Sequence, residues 1–291
     1  MTVRDCLASA RARLQAGGHA AADAALDARV LVQYVVARDL AWLLAHGDHE
    51  PTPAQVAQLD AWVARRARHE PIAYITGVRE FFGRDFHVTP AVLIPRPETE
   101  LIIEALLEAF PEPGTRLSVV DVGTGSGCIA VSVACERPAA HVTAIDISAA
   151  ALEIARGNAT RHGVADRLAF VEHSLIPAGL SGLDVVVSNP PYVSLDDRDG
   201  LAPTVRDFEP HAALFAGPTG LDLIEPLLHQ AAGALRPGGI MVMEIGAGQA
   251  EAVMRMATAA GFADVAMRRD LAGIERTLVA RRRDVGAGIP E

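Results

Sequence analysis

Residues 119–130, VVDVGTGSGCIA, decide the fold of this chain. The segment begins as a short apolar strand, turns through glycines at alternate positions and continues into an apolar helix. Gly123, Gly125 and Gly127 allow the backbone to take positive φ angles and to approach a ligand closely. The helix beyond them offers free N–H groups to a carboxylate or a phosphate. The segment therefore predicts a ligand-binding turn at the end of a sheet strand.

The spacing of these glycines, and an acidic residue after them, indicate the kind of ligand. The dinucleotide fingerprint is G-x-G-x-x-G, and Cys128 holds its sixth place here. A P-loop is excluded because no Gly-Lys-Ser/Thr sequence follows. Asp146 lies roughly 20 residues further on, at the end of the next predicted strand, where a carboxylate suits a ribose diol. S-adenosylmethionine has a ribose and an anionic group and fits both features; the alternative is a structural turn with a chance surface aspartate.

A second polar segment, DVVVSNPPYVS at 184–194, follows another apolar strand. Open α/β sheets bind ligands at the carboxyl ends of their strands. The side-chain carbonyl of Asn189 can accept a hydrogen bond from an amine or amide N–H. Pro190 and Pro191 keep the chain extended, so that the Pro190 carbonyl can face a ligand, and Tyr192 adds a flat surface. The set predicts a clamp for a planar NH2 group, with a strand that simply stops at a turn as the alternative.

The pattern of elements predicts the fold class and the domains. From Leu117 onward short apolar strands alternate with helices, which predicts a mainly parallel sheet covered on both faces. The first residues are rich in Ala, Leu and Arg and predict helices, one of them with Thr52 as N-cap and Pro53 at its first position. REFFGRDFHV, at 79–88, predicts a β-hairpin with Gly83 at its turn. The expected order is a small all-α domain (1–70), a β-hairpin linker (71–97), a seven-stranded Rossmann-like α/β domain (98–283) and a loose tail (284–291).

The charge and the amino-acid composition favour some classes of binding partner over others. The formal net charge is −10, whereas a direct nucleic-acid binder usually has a basic surface, so a basic protein partner fits better. The 3 cysteines include no C-x-x-C pair, which argues against a disulfide framework and a zinc site, and no metal is expected. The N-terminus has no apolar leader, and no apolar run is long enough to span a membrane. A cytoplasmic protein is therefore expected.

Two groups of motifs give the chain a family resemblance. NPPY after a G-x-G-x-G turn resembles the methyltransferases that use S-adenosylmethionine and act on amino groups of nucleic-acid bases or on glutamine amides. PIAYITGVREFFGRDFHVTPAVLIPRPETE, at 71–100, is similar to the peptide chain release factor glutamine methyltransferases, the PrmC/HemK family. The resemblance runs from about Pro71 to Arg281. A related ribosomal-protein glutamine methyltransferase has a different arginine-proline segment, so the release factor enzyme is favoured by Arg96, Pro97, Glu98 and Glu100.

The resemblance implies a protein-glutamine methyltransferase with S-adenosylmethionine as cofactor and S-adenosylhomocysteine as product. It implies as substrate the glutamine of the Gly-Gly-Gln motif of a release factor, which the helical domain helps to dock, and a monomeric enzyme. The residues that it implies for the cofactor are Gly123, Thr124, Gly125, Ser126, Gly127, Asp146, Ser174 and Asn189. Those for the substrate are Asn189, Pro190, Pro191 and Tyr192, and the catalytic ones among them are Asn189, Pro190 and Tyr192.

One position departs from the family pattern, and no general base is evident. The family commonly has an acidic residue near the adenine, after the third strand of the α/β domain, where this chain has His173 or Ser174. Glu172 is adjacent but is expected on the other face of a regular strand. His87, His173 and His211 are candidate bases by motif proximity alone, so we expect a reaction without a strong base. The rival functions are a nucleic-acid amino methyltransferase, which the acidic composition disfavours, and a non-catalytic cofactor-binding module, which the intact NPPY segment disfavours.

Overall fold

The computed structural model describes residues 1–283, and the predicted loose tail at 284–291 lies outside the described residues. The chain divides into two compact units: Met1–Val78 with Ala202–Phe208, and Arg79–Leu201 with the chain from Glu209 onward. The sequence patterns do not reveal that Ala202–Phe208 groups with the N-terminal helices. The domain boundaries expected at residues 70 and 97 stay a prediction. None of the described helices is long and apolar enough to cross a membrane.

The described chain begins with helices and then alternates strands with helices. The helices are α1 (Val3–Ala16), α2 (Ala21–Val36), α3 (Leu40–Ala45), α4 (Pro53–Arg66), α5 (Ile72–Thr76), α6 (Glu100–Ala109), α7 (Cys128–Glu136), α8 (Ala149–Arg161), α9 (Pro203–Arg206), α10 (Ile224–Ala234) and α11 (Ala250–Ala259). The strands are β1 (Val78–Phe81), β2 (Arg84–His87), β3 (Ser118–Val122), β4 (His141–Asp146), β5 (Leu168–Glu172), β6 (Leu183–Ser188), β7 (Leu235–Glu244), β8 (Phe262–Arg269) and β9 (Glu275–Arg282).

The first unit packs its helices around one small apolar core. The side chains with no exposed surface in this core include Val3, Leu14, Leu31 and Val63. Helix α4 begins as predicted, because Thr52 caps it by accepting the Gln55 N–H and Pro53 holds its first position. The predicted N-terminal helical region is therefore confirmed.

A two-stranded hairpin of β1 and β2 follows these helices. Its turn is Phe82–Gly83, with φ angles of 49° and 72°. Two consecutive positive φ angles are typical of the type I′ turn, whose twist matches that of the flanking strands. The predicted hairpin, with Gly83 at its turn, is confirmed. Phe81 and Phe86 from its two strands pack into the core of the α/β unit.

The second unit contains a seven-stranded sheet in the order β5-β4-β3-β6-β7-β9-β8, which confirms the predicted α/β class. The five strands from β5 to β7 are parallel, and β9 pairs antiparallel with both β7 and β8. The strand order reverses between β3 and β6, because the chain runs outward from β3 to β5 and then returns to the other side of β3. A reversal of this kind opens a crevice at the carboxyl ends of the two strands, where such sheets bind ligands.

The central strands β3 and β6 carry apolar residues on both faces, because helices cover both faces of the sheet. Val119 and Val185 join the core formed with α6 and α7. Val120 and Val186, one residue further along, join the core formed with α10 and α11. This alternation leaves polar side chains at the strand ends, where the functional candidates lie.

Candidate active site

The register of the parallel strands brings the polar segments to one edge of the sheet. Val122, the last residue of β3, pairs with Ile145 of β4 and Ser188 of β6, and Ser188 pairs with Met243 of β7. The Ser188 hydroxyl also donates a hydrogen bond to the Val122 carbonyl over 2.7 Å. Parallel strands paired in this way place the residues that follow side by side. Those residues are Gly123, Asp146, Asn189 and Glu244.

The glycine turn after β3 has the predicted backbone conformation. Gly123, Gly125 and Gly127 have φ angles of 73°, 54° and 79°. A Cβ at Gly127 would lie 3.0 Å from the Ala155 Cβ of α8, so only glycine permits this close approach. A Cβ at Gly125 would meet no atom within 4 Å. The turn thus contacts α8 at Gly127 and leaves open space at Gly125, where a ligand can approach the backbone.

Asp146, the last residue of β4, is oriented by two backbone N–H groups. Its Oδ2 accepts from the Gly125 N–H and its Oδ1 from the Ser148 N–H, each over 2.9 Å. The side chain is half-buried. An ionised carboxylate has about four lone-pair positions, so each oxygen can accept one further donor. The arrangement fits the hydroxyls of a ribose diol, and the glycine turn beside it fits an adjoining group of the same ligand.

The residues after β5 lie next to Asp146 in the sheet. The His173 N–H donates to the Asp146 carbonyl over 3.0 Å, and the side chains of His173 and Ser174 are exposed. The His173 Nδ1 lies 3.0 Å from the Leu175 carbonyl oxygen. Glu172 is the register partner of Asp146, and its expected face relative to the position of His173 or Ser174 stays a prediction. Register partners share a face of the sheet, so Glu172 is the acidic residue beside Asp146.

The NPPY segment after β6 carries acceptors without partners. The Asn189 Nδ2 donates to Thr99 Oγ1 over 3.0 Å. The Asn189 Oδ1 is buried and has no hydrogen-bond partner within residues 1–283. The Pro190 carbonyl likewise accepts no hydrogen bond from that part of the chain. The Tyr192 hydroxyl donates to Glu244 Oε1 over 3.0 Å, and the tyrosine ring is half-buried. The segment therefore presents two free acceptors beside a held aromatic ring.

Thr99 and Glu244 belong to this site, although the sequence patterns did not single them out. The Thr99 hydroxyl donates to Glu244 Oε2 over 2.5 Å. Glu244 is only 1% exposed, and this burial raises the pKa of its carboxyl, while the bonds from Thr99 and Tyr192 act in the opposite direction. One signal was available: Glu244 is an acidic residue at the end of an apolar strand, as Asp146 is.

The segment that carries Thr99 is held by Glu209, a buried acid that lies far from it in the sequence. Glu209, in DFEPHAAL, is 4% exposed. It accepts a hydrogen bond from the Arg96 guanidinium through Oε1 and from the Ile94 N–H, 3.2 Å away, through Oε2. These bonds join Glu209 to Arg96, which is 113 residues away in the sequence. The link holds the segment that leads to Thr99.

Asp121 is a fully buried acid beneath the glycine turn. Its Oδ2 accepts from the Thr124 hydroxyl over 2.6 Å and from the Ala130 N–H over 3.2 Å. Its Oδ1 is buried without a partner in the described chain. Burial raises the pKa of Asp121 to about 7 from an ordinary value of 3.8.

Asp121→Asn is expected to change how stability depends on pH. Because the folded-state pKa of Asp121 is raised, its neutral form stabilises the fold fully below pH 4, and this contribution is lost as pH rises to about 7. The asparagine variant has no such loss, so it should gain stability relative to wild type by up to about 4 kcal/mol between these pH values. Denaturant unfolding at pH 4, 5.5 and 8 measures the difference. A difference that stays constant with pH would contradict the assignment.

Asn158 of α8 joins the hairpin to the glycine turn. It has no exposed surface. Its Oδ1 accepts the His87 N–H over 2.8 Å, and its Nδ2 donates to the carbonyls of His87 and Ser126 over 2.9 and 2.8 Å. A single side chain thus bonds to three backbone groups, two at the end of β2 and one in the glycine turn.

Asn158→Ala is expected to lower the free energy of unfolding by about 2–4 kcal/mol, because three backbone groups lose their partner. Denaturant unfolding measures this change. Thr160→Ala is the matched control, since Thr160 lies on the same helix but is exposed, and its effect should stay within about 0.5 kcal/mol. Equal effects of the two substitutions would show that the bonds of Asn158 add nothing.

Comparison with known proteins adds family matches over both units. The PrmC N-terminal domain matches residues 5–77, and the methyltransferase small domain matches residues 99–203. The release factor glutamine methyltransferase of Cereibacter sphaeroides is 44% identical over 281 residues, which cover 97% of this chain and 99% of that protein. The α/β unit is thus similar in sequence to methyltransferases, and the N-terminal helices are similar to a domain found with them.

Solved structures support the fold. A methyltransferase from Pyrococcus furiosus superposes with a TM-score of 0.51 at 18% identity, covering 80% of this chain and 100% of that one. The 16S rRNA N2 G1207 methyltransferase of T. thermophilus, solved with AdoMet and guanosine, has a TM-score of 0.52 at 19% identity. That match covers 71% of this chain and 50% of the other. At such identities the likeness concerns the fold alone.

Proposed function

The chain belongs to the release factor glutamine methyltransferase family, and from this premise we propose that it methylates the side-chain amide nitrogen (N5) of the glutamine in the Gly-Gly-Gln motif of peptide chain release factors. The observation that carries the proposal is the buried Asn189 Oδ1, which lacks a partner in the described chain and lies in the same segment as the free Pro190 carbonyl. Two acceptors suit the two hydrogens of a primary amide.

The cofactor of the proposed reaction is S-adenosylmethionine, which supplies an electrophilic methyl group and leaves as S-adenosylhomocysteine. The turn from Gly123 to Gly127 would hold it where the backbone is open, and Asp146 would accept from its ribose hydroxyls. Ser174 and Glu172 are the side chains beyond Asp146 at the same edge of the sheet and would lie towards the base. Asn189 would contact both cofactor and substrate, because the strands before it and before Gly123 end in register.

The proposed methyl transfer needs no strong base and depends on the two hydrogen-bond acceptors. An amide nitrogen is a weak nucleophile because its lone pair is delocalised, and positive charge grows on it during attack. The Asn189 Oδ1 and the Pro190 carbonyl present partial negative charge to its hydrogens, so they bind the transition state more strongly than the ground state. Tyr192, held by Glu244, offers a face for the planar amide. His173 is exposed, and we propose that no histidine acts as a strong base and that the proton which the methylated nitrogen gives up passes to water.

The partner and the setting are part of the same proposal. The protein would act as a cytoplasmic monomer on release factors, without direct contact to nucleic acid, and the helical unit would help to dock the release factor. The alternatives are a ribosomal-protein glutamine and an amino group of a nucleic-acid base. The segment around Arg96, fastened by Glu209, is where the first alternative differs in sequence.

The test offers the purified protein S-adenosylmethionine with a release factor, a ribosomal protein fraction or total RNA. The expected result is a mass increase of one methyl group on the Gly-Gly-Gln peptide of the release factor. Label found only in RNA, or only in a ribosomal protein, would overturn the proposal in favour of the corresponding alternative.

A further inference from the structure

The hydrogen bonds that run from Glu244 to Asn189 have a direction. The Glu244 carboxyl accepts through both of its oxygens, Oε2 from the Thr99 hydroxyl over 2.5 Å and Oε1 from the Tyr192 hydroxyl over 3.0 Å. The hydroxyl has one proton, so Thr99 Oγ1 can only accept from its other neighbour. That neighbour is the side-chain amide of Asn189, which therefore turns its Nδ2 towards Thr99, 3.0 Å away. Its Oδ1 is left facing away without a partner in the described chain.

Burial raises the pKa of the Glu244 carboxyl, and the groups around it act against that rise. Besides Thr99, the Tyr192 hydroxyl donates to it over 3.0 Å, and the Arg276 guanidinium acts on it with favourable charge, against repulsion from Glu98. Glu244 is also placed directly by the sheet, because the residue before it pairs with the residue before Asn189. One buried carboxylate thus anchors both the asparagine and the tyrosine of the NPPY segment.

We propose that Thr99 and Glu244 are positioning residues that lock the amide of Asn189 with its oxygen towards the substrate, and that this lock makes the site choose glutamine over glutamate. The inference rests on the proposed function and deepens it. The two ends of an asparagine amide have almost the same shape, so packing alone does not determine which end faces the site. The order of donors and acceptors from Asn189 through Thr99 to Glu244 determines which end faces the site.

The lock affects substrate selectivity because a flipped Asn189 side chain would bind a different substrate group. A flip would set the Asn189 Oδ1 against the Thr99 Oγ1, whose proton is already committed to Glu244. It would also turn N–H groups towards the substrate, where they could bind the carboxylate of a glutamate. With the flip prevented, a glutamate side chain meets two acceptors, Oδ1 and the Pro190 carbonyl, and is rejected by unpaired and repelling oxygens.

The first test compares Thr99→Val, which keeps the side-chain shape and removes the hydroxyl, with Thr99→Ser, which keeps the hydroxyl. The substrates are a release factor with its Gly-Gly-Gln motif and, as a competitor, the same protein with Gly-Gly-Glu. Wild type should bind the glutamate competitor far more weakly than the substrate. In Thr99→Val the ratio of the competitor inhibition constant to the substrate KM should fall roughly 10- to 100-fold, with kcat reduced and S-adenosylmethionine affinity unchanged. Thr99→Ser should restore the ratio.

A merely structural role of Thr99 would lower stability and activity but leave that ratio unchanged. This outcome would overturn the proposal that the lock sets the preference for glutamine. A ratio that Thr99→Ser fails to restore would do the same, because the hydroxyl would then not be the responsible group.

A second test needs no substrate. The chain has 2 asparagines, Asn158 and Asn189, so labelling with nitrogen-15 asparagine gives one side-chain amide signal pair from each. In Thr99→Val the Asn189 amide protons should shift and exchange faster with solvent, while those of Asn158 should remain unchanged. An unaltered Asn189 signal would overturn the lock. If wild type leaves release factors unmethylated but the Asn189 signal responds, the proposed function fails and the lock stands.

Discussion

Asn189→Ala is expected to reduce turnover by about 10²- to 10³-fold, the loss typical of removing one preorganised polar group from a transition state. The side chain supplies the buried Oδ1, which is one of the two acceptors for the amide hydrogens. The loss should appear in kcat, because the attraction grows as charge develops on the nitrogen. S-adenosylmethionine binding should stay within a few-fold of wild type, since the glycine turn and Asp146 lie on other strands.

Single-turnover methylation of a release factor, together with calorimetric titration of the cofactor, separates these effects. Ser194→Ala is the control, because Ser194 follows the same segment and its hydroxyl bonds to the Pro218 carbonyl, away from Asn189. Turnover that is unchanged in Asn189→Ala would remove the residue from the mechanism. Loss of cofactor binding with normal single-turnover chemistry at saturation would instead assign it to the cofactor.

Asp146→Ala is expected to weaken S-adenosylmethionine binding roughly 100-fold, equivalent to about 2.7 kcal/mol. The substitution removes the charged acceptors for the ribose hydroxyls. It also frees the N–H groups of Gly125 and Ser148, which the carboxylate holds at 2.9 Å, so the turn loses order before the cofactor arrives. Stability should change little, because the site is half-buried and water can replace the carboxylate.

Titration of S-adenosylhomocysteine into the variant measures the change without turnover. Asp166→Ala is the matched control: it removes the same charge from an exposed position before β5 and should leave the affinity unchanged. Asp146→Asn should give an intermediate affinity, since an amide keeps one acceptor. Wild-type affinity in Asp146→Ala would exclude the residue from the cofactor site.

Local patterns predicted the parts of the fold that depend on neighbouring residues. The turn after β3, the N-cap at Thr52 and the hairpin turn at Gly83 each rest on a few adjacent side chains, and each was found where expected. The five parallel strands were recognisable because parallel strands covered on both faces are mainly apolar runs. The roles of the expected cofactor and substrate residues stay predictions.

The contacts that orient the candidate site could not be predicted in the same way. Thr99 and Glu244 are 145 residues apart, and the local pattern around each residue does not reveal that the two side chains meet. Only the pairing of β6 with β7 makes Glu244 a neighbour of Asn189. Glu172 shows the same limit, because its pairing with Asp146 depends on the register of β5 with β4, which the sequence of one strand does not contain.

The contact between Gly127 and Ala155 limits which substitutions the glycine turn can tolerate. A Cβ on Gly127 would meet the Ala155 Cβ at 3.0 Å, so the two smallest side-chain sizes already meet there. A side chain at Gly127 would also need a φ of 79°, which residues other than glycine rarely adopt. Any substitution of Gly127 therefore adds strain in the turn and requires α8 to shift at the same point.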